Sequence, residues 1–110
     1  MTGAPLSPIA AIIADAAAIT GILQGRITGR TQDQIVVRIR GAIIWTAVEV
    51  HGPTLAEMGH ALGKRDHTTI SAALRRANSL RDTNPEFAGL TEQLRSLALA
   101  RFHAAQGDRL

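Results

Sequence analysis

The chain has 110 residues, of which 45% are hydrophobic, so it carries enough apolar side chains for one modest core and not for a large cleft between two domains. Twelve lysines and arginines stand against nine acidic residues, and the formal net charge of +3 favours a polyanionic partner without establishing one. The absence of cysteine excludes disulfides and thiolate metal sites.

The first residues, MTGAPLSPIAAIIADAAAI, include an apolar run but lack the basic segment of a signal peptide. Asp15 interrupts the run well before membrane-spanning length. We therefore expect a soluble, cytoplasmic protein with no membrane partner.

The first half of the chain predicts two helices. A serine-proline pair at Ser7 indicates the start of a helix that runs to about Leu23, and the polar segment QGRITGRTQDQ then forms a loop. The next segment begins with β-branched residues that alternate as in a strand, but its length favours a helix from about Asp33 to His51. Its apolar residues fit one helical stripe, at positions 36, 39, 43, 47 and 50.

The segment from about residue 54 to about residue 80 predicts a helix-turn-helix. Thr54 and Glu57 have the spacing of a capping box, and Gly63 supplies the turn that ends the short helix behind them. Asp66 is placed to cap a second helix, whose apolar positions are Ile70, Ala73, Leu74, Ala77 and Leu80.

A last helix is predicted from Asn84, which precedes a proline at the first helical position. Its apolar stripe consists of Phe87, Leu90, Leu94 and Leu97, and it is too short for a coiled coil, so we expect it to pack within the domain. The sequence thus predicts an all-α fold with a single helical domain over residues 1–110, disordered at 1–6 and 106–110.

The start of the second helix of this pair carries the most informative residues, GKRDHTTISAA. At one hundred degrees per residue, Thr68 and Arg75 lie opposite the apolar stripe, and His67 and Thr69 lie at its margins. The outward face is therefore small, polar and positively charged, which suits the DNA major groove. We expect Arg75 to contact phosphate.

The residues TLAEMGHALGKRDHTTISAALRRANSL resemble the C-terminal DNA-binding domain of the bacterial replication initiator DnaA, and VVRIRGAIIWTAVEV is similar to the arginine-containing helix of that family. The resemblance runs from roughly residue 19 to residue 97 and implies the fold of DnaA domain IV. It implies base reading in the major groove by Asp66, His67, Thr68 and Thr69. It also implies phosphate contacts by Arg38, Arg40, Lys64 and Arg65, and a minor-groove contact by Arg26 or Arg30.

Two arginines two residues apart do not share a helix face, so we expect a phosphate contact from at least one of Arg38 and Arg40. The sequence also departs from the family. Lys64 replaces its second glycine, Gly41 stands where a glutamine is common, and the loop before the arginine helix is longer and less basic than usual.

The sequence lacks a phosphate-binding loop of the G-x-x-x-x-G-K-[ST] type and has no room for the family's ATPase domain. We therefore expect no nucleotide, no cofactor and no metal, and no constellation of residues indicates an enzyme. Three functions stay open. The first is a sequence-specific double-stranded DNA-binding protein acting as a transcription regulator in the nucleoid, with RNA polymerase or another regulatory protein as a partner. The second is a replication-associated factor that binds or competes for DnaA boxes, and the third is a helical interaction module without DNA binding.

Overall fold

A computed structural model describes residues 7–107, and the regular secondary structure within that range is helical throughout. The helices are α1 (Pro8–Thr20), α2 (Gln24–Thr28), α3 (Gln34–Val50), α4 (Leu55–Ala61), α5 (His67–Thr83) and α6 (Pro85–Gly107). The all-α prediction is confirmed. No helix in the described part of the chain is long and apolar enough to span a bilayer.

Helix α1 begins where the sequence predicts and ends earlier. The Ser7 hydroxyl accepts a hydrogen bond from the Ala10 amide at 3.1 Å, with Pro8 in the first turn. The helix stops at Thr20 because Gly21 adopts a left-handed conformation, with φ of 76°. The predicted end at Leu23 is therefore three residues too late.

Helix α2 is absent from the sequence prediction, which assigned the whole polar segment after Leu23 to a loop. Its five residues, Gln24–Thr28, have no side-chain cap at the N-terminus. The helix is anchored instead by Ile27, whose side chain is fully buried in the core. Tertiary packing outweighs the polar, glycine-containing local sequence here.

Helix α3 is the central element and packs against α1, α5 and α6. It spans Gln34–Val50, close to the predicted bounds, and the Asp33 carboxylate caps it by accepting from the Ile35 amide at 3.0 Å. Its buried side includes Val36, Ile39 and Ile43. The helical interpretation of this β-branched segment is confirmed.

Helices α4 and α5 form the predicted helix-turn-helix. The capping box at the start of α4 is complete, since the Thr54 hydroxyl accepts from the Glu57 amide and the Glu57 carboxylate accepts from the Thr54 amide. In α5, Ile70 and Ala77 are fully buried, whereas Leu74 is only half-buried against the core. The predicted apolar side of α5 is thus correct, with Ile70 rather than Leu74 at its deepest point.

Helix α6 starts with the predicted cap, because the Asn84 side chain accepts from the Phe87 amide at 3.1 Å. Its buried positions follow a three-and-four spacing through Phe87, Thr91, Leu94 and Ala98, and the side chain of Leu97 is left 42% exposed. The predicted inclusion of Leu97 in the stripe is wrong. The helix continues to Gly107, past the predicted start of disorder at 106, while residues 1–6 and 108–110 lie outside the described range.

A stacked pair joins the three long helices. The Arg81 guanidinium of α5 lies 4.0 Å from the ring centroid of Trp45 on α3. The same side chain donates to the Thr91 hydroxyl at 3.0 Å and pairs with the Glu92 carboxylate, both on α6. The C-terminal half of α5 is therefore fixed to α3 and α6 by one arginine.

Candidate nucleic-acid interface

The turn between α4 and α5 depends on two glycines. A Cβ atom at Gly59 would overlap the carbonyl oxygen of Arg65, whose amide donates to the Gly59 carbonyl at 2.8 Å. A Cβ atom at Gly63 would overlap the carbonyl oxygen of Thr28, and Gly63 itself has φ of 93°. The two close approaches bring α4, the residues just before α5 and the end of α2 together.

Asp66 caps α5. One carboxylate oxygen accepts a hydrogen bond from the Thr69 amide at 2.8 Å. This hydrogen bond holds the pKa of the Asp66 carboxyl below its usual value. One carboxylate oxygen of Asp66, a predicted base reader, is thus used to cap the helix. This hydrogen bond fixes the direction of the first turn of α5.

The other three predicted base readers share that first turn. His67, Thr68 and Thr69 are all exposed. Within residues 7–107 the side chains of His67 and Thr68 make no hydrogen bond, whereas the Thr69 side chain lies close enough to the Asp66 carboxylate to lower its pKa. The structure therefore brings together three exposed hydrogen-bonding side chains at the positive end of a helix, where the exposed backbone dipoles favour an anion.

Lys64 stands in the turn with a left-handed backbone, at φ of 63°, and an exposed side chain. A non-glycine residue in this region is strained, so the glycine that the family carries here has a backbone reason. Lys64 therefore places a cation at a strained position of the turn.

Arg65 is largely engaged within the protein. Its guanidinium donates to the Gly29 carbonyl at 2.6 Å and to the Leu62 carbonyl, and the side chain is half-buried. Burial, followed by the charge of Arg30, lowers the pKa of the Arg65 guanidinium. These hydrogen bonds hold the helix-turn-helix against the segment after α2. Because they use part of the guanidinium, Arg65 has fewer donors for a phosphate than the sequence suggests.

Arg40 lies in the interior, with 5% of its surface exposed, and not at the surface position that the predicted phosphate contact would need. Its guanidinium donates to carbonyl oxygens of Ile27 at 2.6 Å, Thr31 at 2.8 Å, Gly29 at 3.0 Å and Arg26 at 3.1 Å. Burial, and secondarily the charge of Arg65, lowers the pKa of the Arg40 guanidinium. Four of its five donors are used inside the fold, so Arg40 orders residues 26–31 and has one donor left for any other partner.

Arg38, Arg75 and Arg76 are exposed cations on α3 and α5. None of them forms an ion pair with a residue of the described chain, and Arg75 makes one internal hydrogen bond, to the Ser71 hydroxyl at 3.2 Å. Arg38 and Arg75 lie at the surface as predicted. Arg76 was missed, although its spacing of seven from Thr69 places both on one side of α5.

The two minor-groove candidates have different surroundings. Arg26 pairs with Asp33 at 3.5 Å, and about half of each side chain is exposed. Arg30 is exposed and near Arg65. Because Gly29 accepts from Arg65 and Thr28 touches Gly63, the segment that carries Arg30 lies beside the helix-turn-helix turn. A contact of either arginine with a minor groove stays a prediction.

A short capped helix, a glycine turn and a second helix with an exposed polar first turn define the helix-turn-helix class of DNA-binding domains. The family model described as the bacterial dnaA protein helix-turn-helix matches residues 9–77. The chain belongs to this family.

Relatives of known identity agree with the assignment. The chain is 32% identical over 65 residues to the chromosomal replication initiator protein DnaA of Caulobacter sp. (strain K31), a match that covers 59% of this chain and 13% of the relative. It is 34% identical over 61 residues to the protein of the same name from Caulobacter vibrioides (strain NA1000 / CB15N), covering 56% of this chain and 12% of the relative. The similarity therefore concerns only a small part of each initiator.

Proposed function

We propose that this protein binds double-stranded DNA in a sequence-specific manner through α4, the turn and α5, and acts in the nucleoid as a transcription regulator. The main support is the exposed first turn of α5, the reading turn, which presents the side chains of His67, Thr68 and Thr69 to solvent. Side chains of this kind discriminate base edges by hydrogen bonds and methyl contacts.

We propose phosphate contacts for four exposed cations, Arg38, Lys64, Arg75 and Arg76. Arg38 and Arg76 line a groove together with Thr68 and Thr69, Lys64 lies near His67, and the spacing of seven from Thr68 places Arg75 on the same side of α5. Arg65 is proposed as a secondary phosphate contact, since part of its guanidinium holds Gly29. Such contacts supply affinity and orientation without sequence information. We propose that Arg30 contacts the neighbouring minor groove.

Asp66 is proposed to act mainly by directing the reading turn. Its cap bond to the Thr69 amide fixes where the three exposed side chains start, and the remaining carboxylate oxygen is the one available to a cytosine amino group. A regulator also needs a protein partner such as RNA polymerase. We propose the exposed apolar residues of α1 and α6, Ile19, Leu97 and Phe102, as the first place to search for that contact.

In vitro selection from a random duplex library tests the function directly. We expect enrichment of a short motif, and mapping of that motif to promoters would support regulation. Uniform recovery of all sequences would refute sequence-specific binding and leave the interaction module as the better description.

A second function is favoured by the similarity to replication initiators over most of the helix-turn-helix. The protein would then bind the nine-base-pair initiator box and compete with the initiator for it. Enrichment of that box in the same selection would support the replication role over a promoter-specific one.

A further inference from the structure

A groove of about 420 Å³ lies between α3 and α5, on the side that also carries the reading turn. The apolar part of its lining, the floor of the groove, includes Val37, Ala73, Leu80 and Phe87. Gly41 contributes no side chain to this floor, and the helices approach so closely there that its Cβ position is 3.7 Å from Ala77 Cβ. The volume falls within the range of about 300–1,000 Å³ that is usual for small-molecule sites.

The rim of the groove is positively charged. Arg38 on α3 and Arg76 on α5 both line it, both are exposed, and neither pairs with a carboxylate in the described range. No aspartate or glutamate is among the lining residues, and the neutral polar side chains of the lining are Gln32, Gln34, Thr68 and Thr69. A ligand that matches this lining has an apolar body and one anionic group.

Phosphate contacts with DNA do not explain why the floor of the groove is apolar. Phosphate contact uses cations at a surface and has no need of a recess lined by aliphatic and aromatic side chains. Two arginines above an apolar recess are, in contrast, the combination that holds an amphipathic anion, because the recess removes the ligand body from water while a guanidinium meets its charge.

We propose that the α3/α5 groove binds a small aromatic or aliphatic carboxylate, and that the bound carboxylate competes with DNA. The proposal of a carboxylate site depends only on the lining of the groove. The competition rests on the proposed function, because Thr68 and Thr69 belong both to the lining and to the reading turn. Occupancy by the carboxylate therefore lowers the apparent affinity for duplex.

The site is tested without DNA, by NMR titration of ¹⁵N-labelled full-length protein. Two pairs of probes differ in charge and little in shape: indole-3-acetate with indole-3-acetamide, and octanoate with octanamide. We expect saturable shifts at the amides of Gly41, Ala73 and Leu80, with the carboxylate of at least one pair bound about three- to tenfold more tightly than its amide.

Arginine variants identify the charge contact. Arg38→Gln and Arg76→Gln should each reduce the preference for the carboxylate over the amide, whereas Arg95→Gln should leave it unchanged. Arg95 is a matched control because it is on α6, pairs with Glu92 and does not line the groove. Shifts scattered over the surface, equal affinity for acid and amide in both pairs, or no saturation in the millimolar range would each overturn the site.

The competition is tested by fluorescence anisotropy of a selected duplex, with the carboxylate at saturation. We expect a weaker apparent affinity for DNA and no effect of the matched amide. Unchanged DNA affinity would overturn the competition and leave the site standing. Failure to bind any duplex would refute the proposed function, and the NMR result would be untouched by it.

Discussion

Arg38 and Arg40 are two residues apart on α3 and have opposite surroundings. Arg40 is buried and donates to four backbone carbonyls of residues 26–31, whereas Arg38 is exposed and lines the α3/α5 groove. Side chains two positions apart on a helix are separated by about 200°, so one faces the core and the other faces solvent.

This difference predicts that substitution of Arg40 lowers stability, whereas substitution of Arg38 weakens DNA binding. Arg40→Met should destabilise the protein by ~2–4 kcal/mol, because it leaves several carbonyls without their donor. Arg38→Gln should change stability by less than ~0.5 kcal/mol while weakening binding to every DNA sequence and reducing the slope of log affinity against log salt by about one unit. Urea denaturation and salt-dependent anisotropy measure the two effects. Equal stability losses would contradict this division.

The turn glycines should be irreplaceable on packing grounds. Gly59→Ala and Gly63→Ala each place a methyl group into a backbone carbonyl, of Arg65 and Thr28 respectively, and should cost ~2 kcal/mol or more in the free energy of unfolding. Gly89→Ala is the control. Gly89 lies in α6 with nothing within 4 Å of its Cβ position, so this change should stabilise the protein by ~0.5–1 kcal/mol. A neutral result at Gly59 would show that the turn can accommodate a methyl group at this position.

Lys64 should separate stability from DNA affinity. Lys64→Gly relieves the left-handed strain at φ of 63° and should raise stability by ~0.5–1 kcal/mol, after the extra entropy of glycine in the unfolded chain is taken off. The same change removes a proposed phosphate contact and should weaken binding to all sequences. Lys64→Ala loses the charge and keeps the strain, so it should weaken DNA binding equally without the gain in melting temperature. An unchanged salt slope in both variants would remove Lys64 from the interface.

His67 and Thr69 should discriminate bases. Changing either to alanine should cost ~1–3 kcal/mol on the selected site and much less on random duplex, while thermal melts change little because both side chains are exposed. His103→Ala, an exposed histidine on α6, is the matched control and should leave both affinities unchanged. Equal losses on specific and random DNA, or unfolding of the domain, would show that these residues only start the helix.

The cap of α5 should make stability depend on pH. The folded-state pKa of Asp66 is lowered by its bond to Thr69, so its contribution is complete above the unfolded-state pKa and is lost as the pH falls through the folded value. Asp66→Asn can still accept from the amide but does not titrate. The stability difference between the native protein and Asp66→Asn should therefore shrink as the pH is lowered below about 4. A difference that stays constant in denaturation series across the acidic range would assign the effect to other carboxylates, such as Glu57.

Local signals in the sequence were sufficient for the helix-turn-helix. The capping box at Thr54, the turn at Gly63 and the cap at Asp66 each act within a few residues, and all of them form as predicted. Contacts between residues far apart in the chain could not be predicted from the sequence. Helix α2 depends on the burial of Ile27 and on hydrogen bonds from Arg40, which is 13 residues further along the chain.

A signal for the burial of Arg40 did exist. Positions 36, 40, 43 and 47 follow the four-three-four spacing of a buried helix side, and Val36, Ile43 and Ala47 are all in the core. The charge of Arg40 led to a surface assignment, since arginine is rarely buried unless its donors are satisfied. The satisfying carbonyls belong to a segment whose conformation the sequence did not predict. The roles of the exposed residues toward DNA remain predictions.

The stacking of Arg81 on Trp45 has an optical consequence. Trp45 is the chain's only tryptophan, it is 3% exposed at the junction of α3, α5 and α6, and it lines neither the α3/α5 groove nor the surface around Lys64 and His67. Its emission therefore responds to loss of the junction, when water reaches the indole ring, and not to a ligand seated on the first turn of α5. Unlabelled protein thus contains an internal reporter of folding, whose signal stays separate from that of a dye attached to the DNA.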